Sequence, residues 1–90
     1  MRELILSTKY RRELRRAARR GKDREKIKEV TDKLVAGEPL EPRYHPHRLV
    51  GDMAGYWECR IEPDWLLVWE EDETKVTLLR TGSHADIFGL

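Results

Sequence analysis

Ninety residues, 39% charged and 39% hydrophobic, describe one small surface-rich domain over residues 1–90, with a modest core. No apolar run approaches the roughly 20 residues of a membrane helix, and Met1-Arg2-Glu3-Leu4-Ile5-Leu6 is too short and too acidic for a signal peptide's apolar region. A single cysteine, Cys59, excludes an intrachain disulfide and a cysteine-built zinc cage, so a reducing cytoplasm is the expected home.

Glu3 to Ser7 has the length and the Leu4-Ile5-Leu6 content of a strand. Ser7 or Thr8 then caps a helix by accepting a bond from a free first-turn amide. In that helix Tyr10, Leu14, Ala17 and Ala18 form a narrow apolar stripe, while Arg11, Arg12, Arg15, Arg16, Arg19 and Arg20 occupy the rest of the circumference. Gly21 is its stop. Asp23 caps a second helix with Ile27, Val30 and Leu34 on one face, and Gly37 ends it. Helices so close in sequence turn back on each other as an αα-hairpin. Pro39, Pro42 and Pro46 keep residues 37–46 irregular.

Strands follow. Arg48-Leu49-Val50 is short and leads to a turn bracketed by Gly51 and Gly55. Tyr56 to Ile61 alternates, with Trp57, Cys59 and Ile61 on one face and Tyr56, Glu58 and Arg60 on the other. Glu62-Pro63-Asp64 reverses the chain. Trp65 to Trp69 is apolar on both faces and reads as a central strand. The acidic Glu70 to Glu73 forms a hairpin tip, Lys75 to Thr81 runs back, and Gly82 releases a tail that ends in Phe88. The order β-α-α-β-β-β is an α+β fold: an N-terminal strand, an αα-hairpin, then a predominantly antiparallel sheet with the helices on one face.

The net charge of +1 conceals a division: Met1 to Lys33 carries +7 and the remainder −6. A dense basic segment is the electrostatic footprint of a polyanion binder, although a solvated arginine face is the plainer reading. Successive hairpins would bring Arg60, Asp64, Arg80 and His84 along one side of the sheet, with His47 entering from the strand before. These are the parts for cleaving RNA by attack of a 2′-hydroxyl on its adjacent phosphate. Histidine suits proton transfer near neutrality, and arginine offers a fixed fork of donors with a permanent charge. Each also has a structural reading. Asp64 after proline serves as a turn residue, Arg80 pairs with Glu58 or Glu62, and Phe88 plugs a core edge. Trp57, Trp65 and Trp69 are core, with Trp65 partly exposed beside Asp64. His45 and His47 with Glu62 or Asp64 match no known metal-ligand spacing.

Taken together, these pieces resemble the YafQ-type toxins of the RelE superfamily, the toxin halves of bacterial type II toxin–antitoxin pairs. The likeness runs through the basic helix from Thr8 to Lys22, Pro39-Leu40, His47-Arg48-Leu49-Val50-Gly51, Glu62-Pro63-Asp64-Trp65, Arg80-Thr81-Gly82-Ser83-His84 and Ile87-Phe88. The resemblance implies a RelE-like fold and a ribosome-dependent endoribonuclease that cuts mRNA without a metal or other cofactor. It implies a cognate antitoxin over the active site, with operator DNA bound only through that complex, and no membrane. By position it makes His47, Asp64 and His84 candidates for acid and base, Arg60 and Arg80 phosphate ligands, and Trp65 and Phe88 the walls of the nucleotide site. The six arginines of the first helix become a ribosomal RNA contact. Arg60 is the departure, since the family's usual residue there is histidine, and arginine keeps its proton throughout the working range. Either His47, Asp64 and His84 carry the protons, or the chain is slow or inactive. The rival readings are a nucleic-acid-binding domain that uses the arginine helix alone, and a non-catalytic domain that docks a partner.

Overall fold

Ser7 both ends strand β1 (Glu3–Leu6) and caps helix α1 (Thr8–Arg19), its hydroxyl accepting from the Tyr10 N–H at 3.0 Å. The computed structural model describes residues 1–89. In it Asp23 caps α2 (Arg24–Ala36) through the Glu25 N–H, and Gly37 closes that helix at φ 75°, where a side chain would be strained. The helix limits agree with the sequence reading. No helix among the described residues is long and apolar enough to cross a membrane.

One sheet follows the order β1-β5-β4-β3-β2, with β2 at His47–Arg48, β3 at Trp57–Glu62, β4 at Trp65–Glu71 and β5 at Lys75–Gly82. Strands β2 to β5 are antiparallel neighbours, and β1 lies parallel to β5 at the far edge. The α+β architecture with a predominantly antiparallel sheet is therefore as read. Tyr10 and Ala17 from α1, and Ile27, Val30 and Leu34 from α2, share a core with Cys59, Ile61, Trp65, Leu67, Trp69, Val76 and Leu78. Alternation along β4 turns Leu66 and Val68 to the opposite face, where they too are buried, so β4 is the central strand its composition indicated.

Two elements differ from the sequence reading. The short strand is His47–Arg48, not Arg48 to Val50; Val50 is exposed and Gly51–Met53 makes a 3-10 turn. The C-terminal tail contains a helix, α3 (His84–Phe88), fixed by a capping box in which Ser83 and Asp86 each bind the other's backbone N–H.

Strand β1 pairs with β5 only as far as Leu78, which leaves the outer edge of β5 without a strand partner from Leu79 onward. Helix α1 covers it. The Ser7 hydroxyl donates to the Leu79 carbonyl at 3.0 Å, and the Thr81 N–H donates to Glu13 Oε1 at 3.2 Å. The carboxylate that closes this edge also reaches the candidate site.

Candidate active site

His84 opens α3 at the end of β5, and Asp64 stands in the turn between β3 and β4. The sheet order brings those two ends together. Asp64 Oδ1 accepts from the His84 backbone N–H at 2.8 Å and lies 2.6 Å from His84 Nδ1. A carboxylate at that nitrogen places the neutral ring's proton on Nδ1 and leaves Nε2 for a substrate. The His84 backbone N–H, and then its ring, hold the Asp64 carboxyl below the usual range, so Asp64 stays anionic near neutrality. Asp64 thus orients His84. It is the poorer candidate for moving a proton.

Across the face, β3 supplies Glu58 and Arg60, two residues apart on one side of the strand. Glu58 sits opposite His47 of β2 and Val68 of β4, while Arg60 sits opposite Leu66. His47 Nε2 approaches Glu58 Oε1 at 3.3 Å. Burial pushes the Glu58 carboxyl up, and the charges that His47, His84 and Arg60 carry when protonated pull it back down. His47 meets this buried carboxylate from the next strand, Arg60 follows it two residues along β3, and His84 acts on it by charge. Arg60 is exposed and, among the described residues, makes no hydrogen bond or ion pair, so its fork of donors is open. Phe88, 39% exposed, lies four residues after His84 and so on the same side of α3. Cys59, facing the core behind Glu58, has its thiol pushed up to about 12 by burial and carries no reactive thiolate. Among the described residues no three of His, Cys, Asp and Glu converge to hold a metal ion.

Two expected site residues are placed otherwise. Trp65 is 1% exposed within the core, and its indole N–H donates to the Thr81 hydroxyl at 2.9 Å. So placed it offers almost no surface to a nucleotide, although it lies at the floor of a shallow cavity with Asp64 and Ser83. Arg80 pairs with neither Glu58 nor Glu62. Its Nε and one terminal nitrogen bind Glu13 at 2.9 Å each, and the same terminal nitrogen donates to the Asp86 carbonyl at 3.2 Å. Two of its three nitrogens are engaged, so it does not offer phosphate a free fork.

The basic helix divides in the same way. Arg20 binds Asp86 at 2.6 Å, and Arg16 bridges Asp86 at 3.5 Å and Glu13 at 3.6 Å. These arginines and Arg80 lock α3, and hence His84, against α1. Gly82 permits this closeness, for a Cβ there would lie 2.9 Å from the Asp86 side chain. Arg11, Arg12, Arg15 and Arg19 are exposed and, among the described residues, make no ion pair.

Sequence reasoning missed Glu13, Glu58 and Asp86. Each left a trace: Glu13 falls between Tyr10 and Ala17 on the buried stripe, Glu58 interrupts an apolar strand, and Asp86 stands three residues after Ser83. Arg20, followed by the Ser83 backbone N–H, depresses the Asp86 carboxyl well below its ordinary value. A depressed acid stabilises the fold above its unfolded value, about 3.9, and loses that contribution as pH falls through the folded value. Thermal melts of wild type and Asp86→Asn are therefore expected to differ near neutrality and to converge in acid. A gap that is constant with pH would contradict this.

Residues 2–89 match the family described as the bacterial toxin of type II toxin–antitoxin systems, YafQ. The chain belongs to that family. It is 34% identical over 89 residues to the mRNA interferase toxin YafQ of Escherichia coli K12, covering 98% of this chain and 97% of that one. The crystal structure of YafQ from E. coli BL21(DE3) superposes with a TM-score of 0.94 at 30% identity, covering 99% of this chain and all of the other. The toxin of the E. coli DinJ–YafQ complex gives 0.91 at 34% identity and 98% coverage of each chain. The resemblance read from the His47, Asp64 and Arg80-to-His84 segments is thereby established as family membership, and the RelE-like expectation of the fold is met.

Proposed function

We propose that this YafQ-family chain is an endoribonuclease that cuts mRNA on the ribosome and is silenced by a cognate antitoxin. The observation that carries the proposal is the Asp64–His84 pair beside the open guanidinium of Arg60, with His47 across the face. The 2′-hydroxyl loses its proton to His47, O2′ attacks phosphorus, and the bond to O5′ breaks. His84, as the imidazolium that Asp64 stabilises, gives its Nε2 proton to O5′, leaving a 2′,3′-cyclic phosphate, a 5′-hydroxyl and a neutral ring. Arg60 stabilises the charge on the phosphorane, and Phe88 supports a base beside it. Exposed Arg11, Arg12, Arg15 and Arg19 supply a docking surface for ribosomal RNA, whose binding weakens as salt rises. The relatives named as mRNA interferases and the DinJ–YafQ complex support the reading. With it go a cytoplasmic location and contact with operator DNA only through the antitoxin complex.

The same arginine supports the rival, non-catalytic reading, because it stands where the family usually has a histidine. Primer extension on ribosome-bound mRNA decides between them. Arg60→Ala is expected to lower the cleavage rate about 100-fold, as loss of one charge-stabilising donor does elsewhere. Arg60→His is expected to lower it less. Faster cutting by Arg60→His would show that arginine compromises the site, and no cutting by wild type would favour a docking domain.

A further inference from the structure

Each ring nitrogen of His47 lies near an acceptor, and only the Nδ1 contact has the alignment of a hydrogen bond. Its Nδ1 lies 2.7 Å from the His45 carbonyl oxygen, and its Nε2 lies 3.3 Å from Glu58 Oε1. A carbonyl oxygen only accepts, so Nδ1 carries the proton, and Nε2 is the basic nitrogen of the neutral ring. We propose that Glu58 is the positioning residue of the proton-accepting histidine: the 2′-hydroxyl proton is taken up at His47 Nε2 and held there by Glu58 Oε1. The proposal rests on the ribonuclease reading above and adds to it a residue that the sequence motifs do not contain.

Three observations support it. First, Glu58 is 4% exposed, and its second oxygen, Oε2, is buried with no hydrogen-bond partner. A carboxylate so poorly solvated gains most from a proton arriving beside it. Second, Nε2 and Oε1 stand 3.3 Å apart without the alignment of a hydrogen bond, which leaves the unprotonated Nε2 open to a hydroxyl and lets the pair close into a bond once Nε2 becomes a donor. Third, the pairing of β2 with β3 sets His47 directly opposite Glu58, so the backbone ladder fixes the meeting. The groups acting on Glu58 from its surroundings are His47 on β2, Arg60 on β3 and His84 on α3; β4 contributes only Val68 opposite it. Oε2 is too enclosed to touch substrate. Glu58 therefore acts through His47 and is not itself the base.

The pairing also accounts for Arg60. Arginine cannot accept a proton in the place of the family's histidine, so one basic nitrogen must serve, and Glu58 stands beside it. In the reaction the O2′–H bond breaks toward His47 Nε2 as the O2′–P bond forms. The P–O5′ bond breaks, and O5′ takes its proton from His84.

The test is Glu58→Gln, which keeps the side chain's size and removes its charge, assayed by cleavage of ribosome-bound mRNA across pH. A carboxylate beside Nε2 favours the protonated pair, so its removal leaves the base form intact to lower pH. The acid limb of the rate profile is expected to move down, and the plateau to fall about 10- to 100-fold because the base is weaker. Glu58→Asp is expected to keep the limb near its wild-type position. A Glu58→Gln profile of reduced height with an unmoved limb would reduce Glu58 to a structural residue. A second readout needs no cleavage: the Glu58 side-chain carboxyl, labelled with carbon-13, is expected to titrate at higher pH in His47→Ala than in wild type. An unchanged midpoint would overturn the pairing. Wild-type protein that cuts nothing, while its carboxyl still responds to His47→Ala, would sink the ribonuclease reading and leave the pairing standing.

Discussion

His84→Gln is expected to lower cleavage of ribosome-bound mRNA by about 100-fold or more, the usual range for loss of a positioned general acid, or roughly 3 kcal/mol in the barrier. The effect should be chemical, not structural. His84 is the first residue of α3 and is partly exposed, and the cap of that helix belongs to Ser83 and Asp86. Its backbone N–H would still reach Asp64 in the variant. What disappears is a ring whose Nδ1 is fixed by a carboxylate and whose Nε2 is left for the leaving oxygen. Glutamine can hydrogen-bond there but cannot deliver a proton. The variant should therefore dock on ribosomes with unchanged salt dependence, since the open arginines of α1 are untouched. A domain that acts through its basic helix alone predicts unaltered growth arrest with His84→Gln. Cleavage retained within about threefold of wild type would remove His84 from the acid's place.

The order of elements through β5 was legible in the sequence because local signals settled it, while the helix after Gly82 was read as a tail. Ser7, Asp23 and Gly37 punctuate the helices, and the apolar run from Trp65 to Trp69 marks the strand buried on both faces. The meeting of Asp64 with His84 was also legible, since strand ends in a meander converge on few places. Side-chain direction was harder to read. Arg80 belongs to the right strand, yet its guanidinium turns to the sheet edge because Glu13 is there, and Glu13 is there because β1 stops at Leu78. The Ser7 cap marks where β1 ends, but nothing along the chain tells which β5 residue stands opposite that end. Trp65 follows Asp64 in the motif, yet Asp64 stays exposed in the turn while Trp65 begins β4 and enters the core. Glu58 was read as a partner for Arg80 and not as a site residue for a related reason: its role shows only once a histidine from the neighbouring strand is placed opposite it.

Glu13→Ala is expected to cost about 2–4 kcal/mol of stability, somewhat less than a fully buried ion pair because Arg80 keeps partial exposure. For a domain of this size that is a fall in melting temperature of roughly 10 °C or more. The carboxylate receives two bonds from Arg80 and one from the Thr81 N–H, so its loss strands a guanidinium and a sheet-edge donor together. It also loosens α3, because Arg16 and Arg80 link Glu13 to Asp86. Activity should therefore fall even though Glu13 touches no substrate. The double variant Glu13→Leu with Arg80→Met separates the two possible roles of Arg80. Replacing an ion pair with apolar residues of similar volume is often neutral, so the melting temperature should largely recover. If Arg80 serves only to balance Glu13, with Arg16 and Arg20 still holding Asp86, cleavage should recover to within about 10-fold of wild type. If its third nitrogen also grips the phosphate, stability returns while cleavage stays down by about 100-fold, as for loss of a charge-stabilising donor. The bidentate hold of Glu13 on Arg80 argues for the first outcome, because swinging the guanidinium to phosphate would break both bonds at once.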